Sequence, residues 1–194
     1  MLSLLVVALT ILAAGSVLWF TFSLGISPMP SSAKARLHIL ALVGEINASP
    51  IADLGSGWGS LVIPLARRHP EFRVIGYEAS WIPWLFSFTL KHLLRLDNLT
   101  LERRDFLQAD LSPYRVLLCY LFTTGMERLD SKLAKDHLEA HIVSHTFALP
   151  SRLPSTTIRI NDLYQTPIYH YRHGENLPSP RTTSPPFRSS DPDA

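Results

Sequence analysis

Between Ile51 and Ser60 the chain reads "IADLGSGWGS": a short apolar run reaches an aspartate, and three glycines then follow at alternate positions. A backbone without Cβ atoms takes positive φ without steric cost and lets a ligand approach closely. Set between a strand and a helix, such a loop also leaves helix N-terminal N–H groups facing polar ligand atoms. The flanking pattern supports that placement. Ile51–Leu54 reads as a strand, and Ser60–His69 as a helix stopped by Pro70. "FRVIGYE" is a strand ending at Glu78. Ser80 caps a helix from Trp81 to Arg95, with Pro83 tolerated in its first turn. "NLTLERRD" and "RVLLCYLF" are strands, and "GMERLDSKLAKDHLEA" is a helix with Met126, Leu129, Leu133 and Leu138 mostly on one face. "HIVSHTFAL" is a further strand, and "TTIRIN" and "TPIYHYR" form a final antiparallel pair. Alternating strands and helices imply an α/β fold: a doubly wound, mostly parallel sheet with an antiparallel C-terminal pair and right-handed crossovers. Before it, "AKARLHILALVGEI" has helical spacing behind the capping residues Ser31 and Ser32.

The ends of the chain differ from this middle. The first 26 of the 194 residues carry no charged side chain. At about 1.5 Å per residue, Met1–Ile26 is long enough to cross a hydrocarbon core of about 30 Å. A cleaved signal peptide is the rival, but no Lys or Arg precedes the run and the run is long for such a peptide. Trp19 and Phe20 stand near its end, where interfacial aromatics collect. The reading is one transmembrane helix preceding the sheet. Lys34 and Arg36 are the first cations after it, which puts the domain on the cytoplasmic side, or the matrix side in an organelle. Residues 173–194 are rich in Pro, Ser, Thr and Arg and read as a disordered tail. The organisation expected is an anchor over 1–26, a domain over 27–172 and a tail over 173–194. The single Cys119 lies in an apolar run and reads as a reduced core residue. A net charge of +2 makes no case for nucleic acid, and the eight histidines show no metal-ligand spacing.

Glu78 ends the second strand, roughly 25 residues after Asp53. A carboxylate there can accept both hydrogen bonds of a ribose diol, so the loop and Glu78 together imply a nucleoside ligand. The spacing G-x-G-x-G, with Ser60 next, is not the dinucleotide fingerprint, and no P-loop lysine follows.

"D-L-G-S-G-x-G" followed by "G-Y-E" resembles the class I S-adenosylmethionine-dependent methyltransferases. The resemblance implies a Rossmann-like methyltransferase sheet and S-adenosyl-L-methionine as cofactor. It implies that Asp53 helps place the loop and the amino-acid end of the cofactor, and that Gly55, Ser56 and Gly57 approach it. Glu78 would hold the ribose hydroxyls, Asp105 the adenine amino group, and Phe106 would cover the ring. A narrower similarity runs through "DLGSGxGxxVxxxA", "VIGYExxxWxxWL", "DLSPYRVLL", "KLxxxHLE" and "IVSHTFALPS". In order and spacing these are similar to the membrane-anchored protein-lysine methyltransferases that act on the mitochondrial adenine nucleotide translocase and the ATP synthase c-subunit. That family tends to have an acidic residue where this chain has Trp58, and its element after the second strand is altered here to "EASWIPWLF".

The loop after the fourth strand reads "CYLFTTG" and lacks the Asp/Asn-Pro-Pro-aromatic element of methyltransferases for base amines and glutamine amides. Tyr120, Phe122 and Thr123 would line an apolar channel for a methylene stem; Tyr120 and Thr123 are the catalytic candidates, and no general base stands out. His145, on the fifth strand, reads as a hydrogen-bonded sheet residue, with a base as the alternative. Three readings follow: a membrane-anchored methyltransferase for a lysine of a membrane protein, one for a lipid or quinone headgroup, and a non-catalytic nucleoside-binding scaffold.

Overall fold

The computed structural model describes residues 33–162 and 165–172, together with Val7 and Gly15. The expected anchor and tail therefore lie outside the described residues, except for those two positions. Among the described residues no helix is long and apolar enough to cross a membrane.

Among the described residues twelve segments of regular structure follow one another. Helix α1 (Ala33–Ile46) precedes β1 (Ile51–Leu54), α2 (Val62–Arg68), β2 (Val74–Tyr77), α3 (Trp81–Leu93) and β3 (Leu99–Glu102). A 3-10 turn (Phe106–Gln108) leads to β4 (Val116–Cys119), α4 (Thr123–Lys135), β5 (His141–His145), β6 (Thr156–Arg159) and β7 (Pro167–Tyr171). The seven strands form one sheet in the order β3-β2-β1-β4-β5-β7-β6. Pairing is parallel from β3 through β5. β7 is antiparallel to both β5 and β6, which realises the expected C-terminal pair.

Side chains alternate across the pleat and so divide the core in two. Ile51, Val74, Val116, Leu118 and Val143 face α1, α2 and the inner side of α3. Ala52, Leu54, Ile75, Leu117 and Ile142 face α4, the 3-10 turn and the loop after β5. All four residues of β1, β2 and β4 are buried, as central strands of a parallel sheet require. Cys119 is in the second core, as expected of a reduced interior thiol.

Helix α1 ends where Asn47 turns left-handed at φ 47° and returns its N–H to Val43 O. Its other end is marked by Lys34, whose Nζ donates to Asn161 O at 2.8 Å, just beyond β6. β6 points the same way as β5, so the first turn of α1 stands at the carboxyl edge of the sheet.

Candidate functional site

The strand order reverses between β1 and β4: from β1 the chain winds outward through β2 and β3, then returns to the other side of β1. A parallel sheet opens a crevice at such a point, beyond the carboxyl ends of its strands. The glycine loop fills this position. Gly55, Gly57 and Gly59 have φ of 91°, 53° and 78°, all left-handed.

The loop is tied to β2 by backbone bonds. Gly55 N and Ser56 N both donate to Tyr77 O, at 3.0 and 2.8 Å. The Ser56 side chain lies over Gly76; a Cβ there would stand 2.8 Å from Ser56 Oγ. Gly76 is thus part of the site, and the sequence signal was a glycine inside a strand, which often marks close approach of another backbone. Ser56 Oγ is buried and has no hydrogen-bond partner. A Cβ on Gly57 would meet nothing within 4 Å, so the loop faces open space there. An orphaned buried hydroxyl beside an open glycine backbone suits a polar ligand.

Glu78 is 2% exposed and joins the loop to α3. Its Oε2 accepts from Gly57 N at 2.9 Å and its Oε1 from Ser80 N at 2.7 Å. Each oxygen keeps a further lone pair for a ribose hydroxyl. Burial raises its pKa above the usual carboxylate range, against the opposing pull of these N–H donors. Asp53, also buried, is pushed up to about 7, first by burial and second by the charge of Glu78. Ser80, expected to cap α3, makes no side-chain cap bond; its backbone N–H serves Glu78 instead.

Asp105 lies past β3, where its Oδ1 accepts from Leu107 N at 2.9 Å and caps the 3-10 turn. Only that oxygen is used in the turn. Phe106, next in the chain, is 1% exposed and belongs to the core on the second face of the sheet, with Ile75 and Tyr77. Trp58 is partly exposed and meets Phe86 edge to face at 5.4 Å.

Across the crevice stand the residues after β4 and β5. Tyr120 is half-buried and its ring meets His145 at 4.4 Å between centroids. Phe122 is exposed and contacts Phe147, and Thr123 opens α4. His145 differs from expectation: it is buried, but neither ring nitrogen has a hydrogen-bond partner. Burial pushes its pKa down to about 4, so it is neutral at physiological pH. The structure brings Asp53, Gly55, Ser56, Gly57 and Glu78 together and gathers Tyr120 and His145 at the carboxyl ends of β4 and β5, with Phe122 and Thr123 following. Among the described residues no group of three or more His, Cys, Asp or Glu could hold a metal ion.

Residues 53–156 match the family model of the ANTKMT methyltransferase domain. No curated protein matches the chain. Among solved structures it is similar to an RNA methyltransferase from Salinibacter ruber in complex with S-adenosyl-L-homocysteine. Identity is 26% and the TM-score 0.66, over 77% of this chain and 97% of that one. Magnesium protoporphyrin IX methyltransferase from Synechocystis PCC 6803 with bound SAM shares the fold at 17% identity. Its TM-score is 0.56, covering 70% of this chain and 76% of that one. A putative methyltransferase, yhhF from Escherichia coli, does so at 16% identity and TM-score 0.59, over 76% and 90%.

Proposed function

We propose, from the premise that this chain belongs to the ANTKMT methyltransferase domain family, that it methylates a lysine amine of a membrane protein while anchored in the bilayer by its N-terminal segment. The chain is an S-adenosylmethionine-dependent methyltransferase, and S-adenosylmethionine is its cofactor. One observation carries the assignment of the site: a glycine loop at the switch point, open at Gly57, with an unpartnered buried Ser56 hydroxyl and the Glu78 carboxylate behind it.

Bound there, the cofactor supplies a methyl group on a sulfonium, ready for in-line displacement. The chain's own residues hold, align and exclude water. Gly55, Ser56 and Gly57 would accept the close approach, Glu78 the ribose hydroxyls, Asp53 the cationic amino-acid end and Asp105, through Oδ2, the adenine amine. Tyr120, Phe122 and Thr123 would line the acceptor side. A lysine must lose its proton first, which costs about 4 to 5 kcal/mol from its free pKa to pH 7. Apolar surroundings lower that cost. A neutral, buried His145 beside Tyr120 contributes to such surroundings.

The test uses the full chain in detergent. Titration with S-adenosylhomocysteine by calorimetry is expected to give saturable binding that Glu78→Ala weakens. Tritiated methyl should then pass to protein when host membranes are supplied, and hydrolysis of that protein should release methyl-lysine. Label confined to the lipid extract would move the assignment to a headgroup, and label in added RNA would move it to the substrate class of the Salinibacter ruber protein. Well-folded chain that binds no S-adenosylhomocysteine would leave only a scaffold.

A further inference from the structure

Helix α3 poses a problem that the cofactor site does not solve. Its sequence "WIPWLFSFTLKHL" is apolar on every side, with Lys91 and His92 as its only basic residues and no acidic ones. A helix of that kind belongs in an interior or against lipid. Only Pro83 and Ser87 are fully buried; Trp81, Leu85 and Phe86 are 55%, 53% and 52% exposed. Trp81 and Leu85, four residues apart, share one face. Phe86 reaches the 38% exposed Trp58 of the glycine loop, so the patch is continuous with the rim of the crevice. The guanidinium of Arg103, just past β3, lies 4.1 Å over the Trp81 ring, and Arg104 follows it.

We infer that this patch rests on an anionic bilayer surface, with Trp58, Trp81, Leu85 and Phe86 in the headgroup region and Arg103 toward lipid phosphates. The inference rests on the anchored reading above. Two observations choose lipid over other occupants. The first is composition: tryptophans with a stacked arginine suit a membrane interface, where an amphipathic ring has one wet end and one apolar end. The second is where the chain enters. Only residues 27–32 separate the apolar N-terminal segment from Ala33, a reach of about 20 to 25 Å when fully extended. Ala33 opens α1 at the carboxyl edge of the sheet, beside Asn161. Trp58 and Trp81 are at the same edge, following β1 and β2. A segment embedded in the bilayer would hold this edge near the membrane, and α3 is the apolar surface it presents. The crevice would then open along the membrane plane, where a lysine in a short loop of a membrane protein lies.

The full chain gives a clean background for site-directed labelling, because the single Cys119 is buried with its thiol pKa pushed up to about 12 and resists labelling. Leu85→Cys, and Lys135→Cys at the far end of α4, would each carry a nitroxide. Both are exposed positions, so folding is not at stake. The chain is combined with phosphatidylcholine vesicles containing phosphatidylglycerol, and collision with oxygen is compared with collision with a water-soluble nickel complex. At position 85 oxygen should win, and at position 135 nickel should win. Equal access of nickel to both positions would overturn the inference. So would a strongly immobilised label at 85 that neither reagent reaches, since protein would then cover α3: the chain's own N-terminal segment, a second copy or a partner. Loss of methyl transfer with the label still in lipid would sink the proposed activity and leave this surface standing.

Discussion

At the scale of single residues, the glycines of the loop divide into two roles. Gly57 at φ 53° faces open space, so a Cβ there meets no protein atom. Gly57→Ala should cost about 1 to 2 kcal/mol from the left-handed backbone alone and should weaken S-adenosylhomocysteine binding in calorimetry, because the methyl enters the crevice. Gly59→Ala is different: its Cβ would lie 2.6 Å from Ile63 Cδ1 and 3.0 Å from Ser87 Cβ, between α2 and α3. Its loss should appear mainly as a lower unfolding midpoint. A larger stability loss for Gly57→Ala than for Gly59→Ala would contradict this division. Asp53 and His145 make a second prediction. Below about pH 6.5 the unfolded chain takes up a proton at His145 that the folded chain refuses until about pH 4. That removes up to about 3 kcal/mol as pH falls. Asp53 acts oppositely. Folded, it keeps its proton up to about pH 7, whereas unfolded it loses it near pH 4. Its burial therefore costs up to about 4 kcal/mol as pH rises. Denaturant titrations between about pH 4.5 and 6.5 should show Asp53→Asn gaining on the parent as pH rises and His145→Phe losing ground. Parallel curves would show that neither group is perturbed.

At the scale of elements, most of the fold was legible because short apolar strand runs alternate with longer helical segments. Helix α1 occupies the residues read from the sequence, Ala33–Ile46, and β1 spans Ile51–Leu54 as read. The boundaries that moved did so through tertiary causes. Helix α4 starts at Thr123, taking two residues ahead of the expected start at Gly125, and stops before His137, which is left-handed at φ 48°. Leu138 still joins the core that holds Met126, Leu129 and Leu133, though from beyond the helix. Helix α2 shrinks to seven residues, too few to persist without tertiary support. Asn98 supplies part of that support: its Nδ2 donates to Ala66 O, His69 O and Phe72 O at 3.0 to 3.1 Å. Asn98→Ala should therefore lower stability by about 1 to 3 kcal/mol, leaving those carbonyls short of a donor. Cofactor affinity, read by the same calorimetry, should stay unchanged, since the bonds lie at the opposite edge of the sheet from the glycine loop.

At the scale of the whole molecule, the anchored reading predicts that the full chain stays in the membrane pellet through alkaline carbonate extraction. Release into the supernatant would remove the anchor from the account. The sequence alone determined the α/β class, the antiparallel end of the sheet, a nucleoside as the kind of ligand and the main ligand-facing loop; which nucleoside came from the family resemblance. Those depend on local properties: apolar periodicity, and the need for glycine where φ is positive. Only the tertiary structure decided that Phe106 is core and that Gly76 is small because Ser56 lies over it. It also left His145 buried without a partner and turned Glu78 to fasten the loop to α3. Each of these depends on which side chains from distant parts of the chain converge on one point, and no spacing along a single strand or helix encodes that.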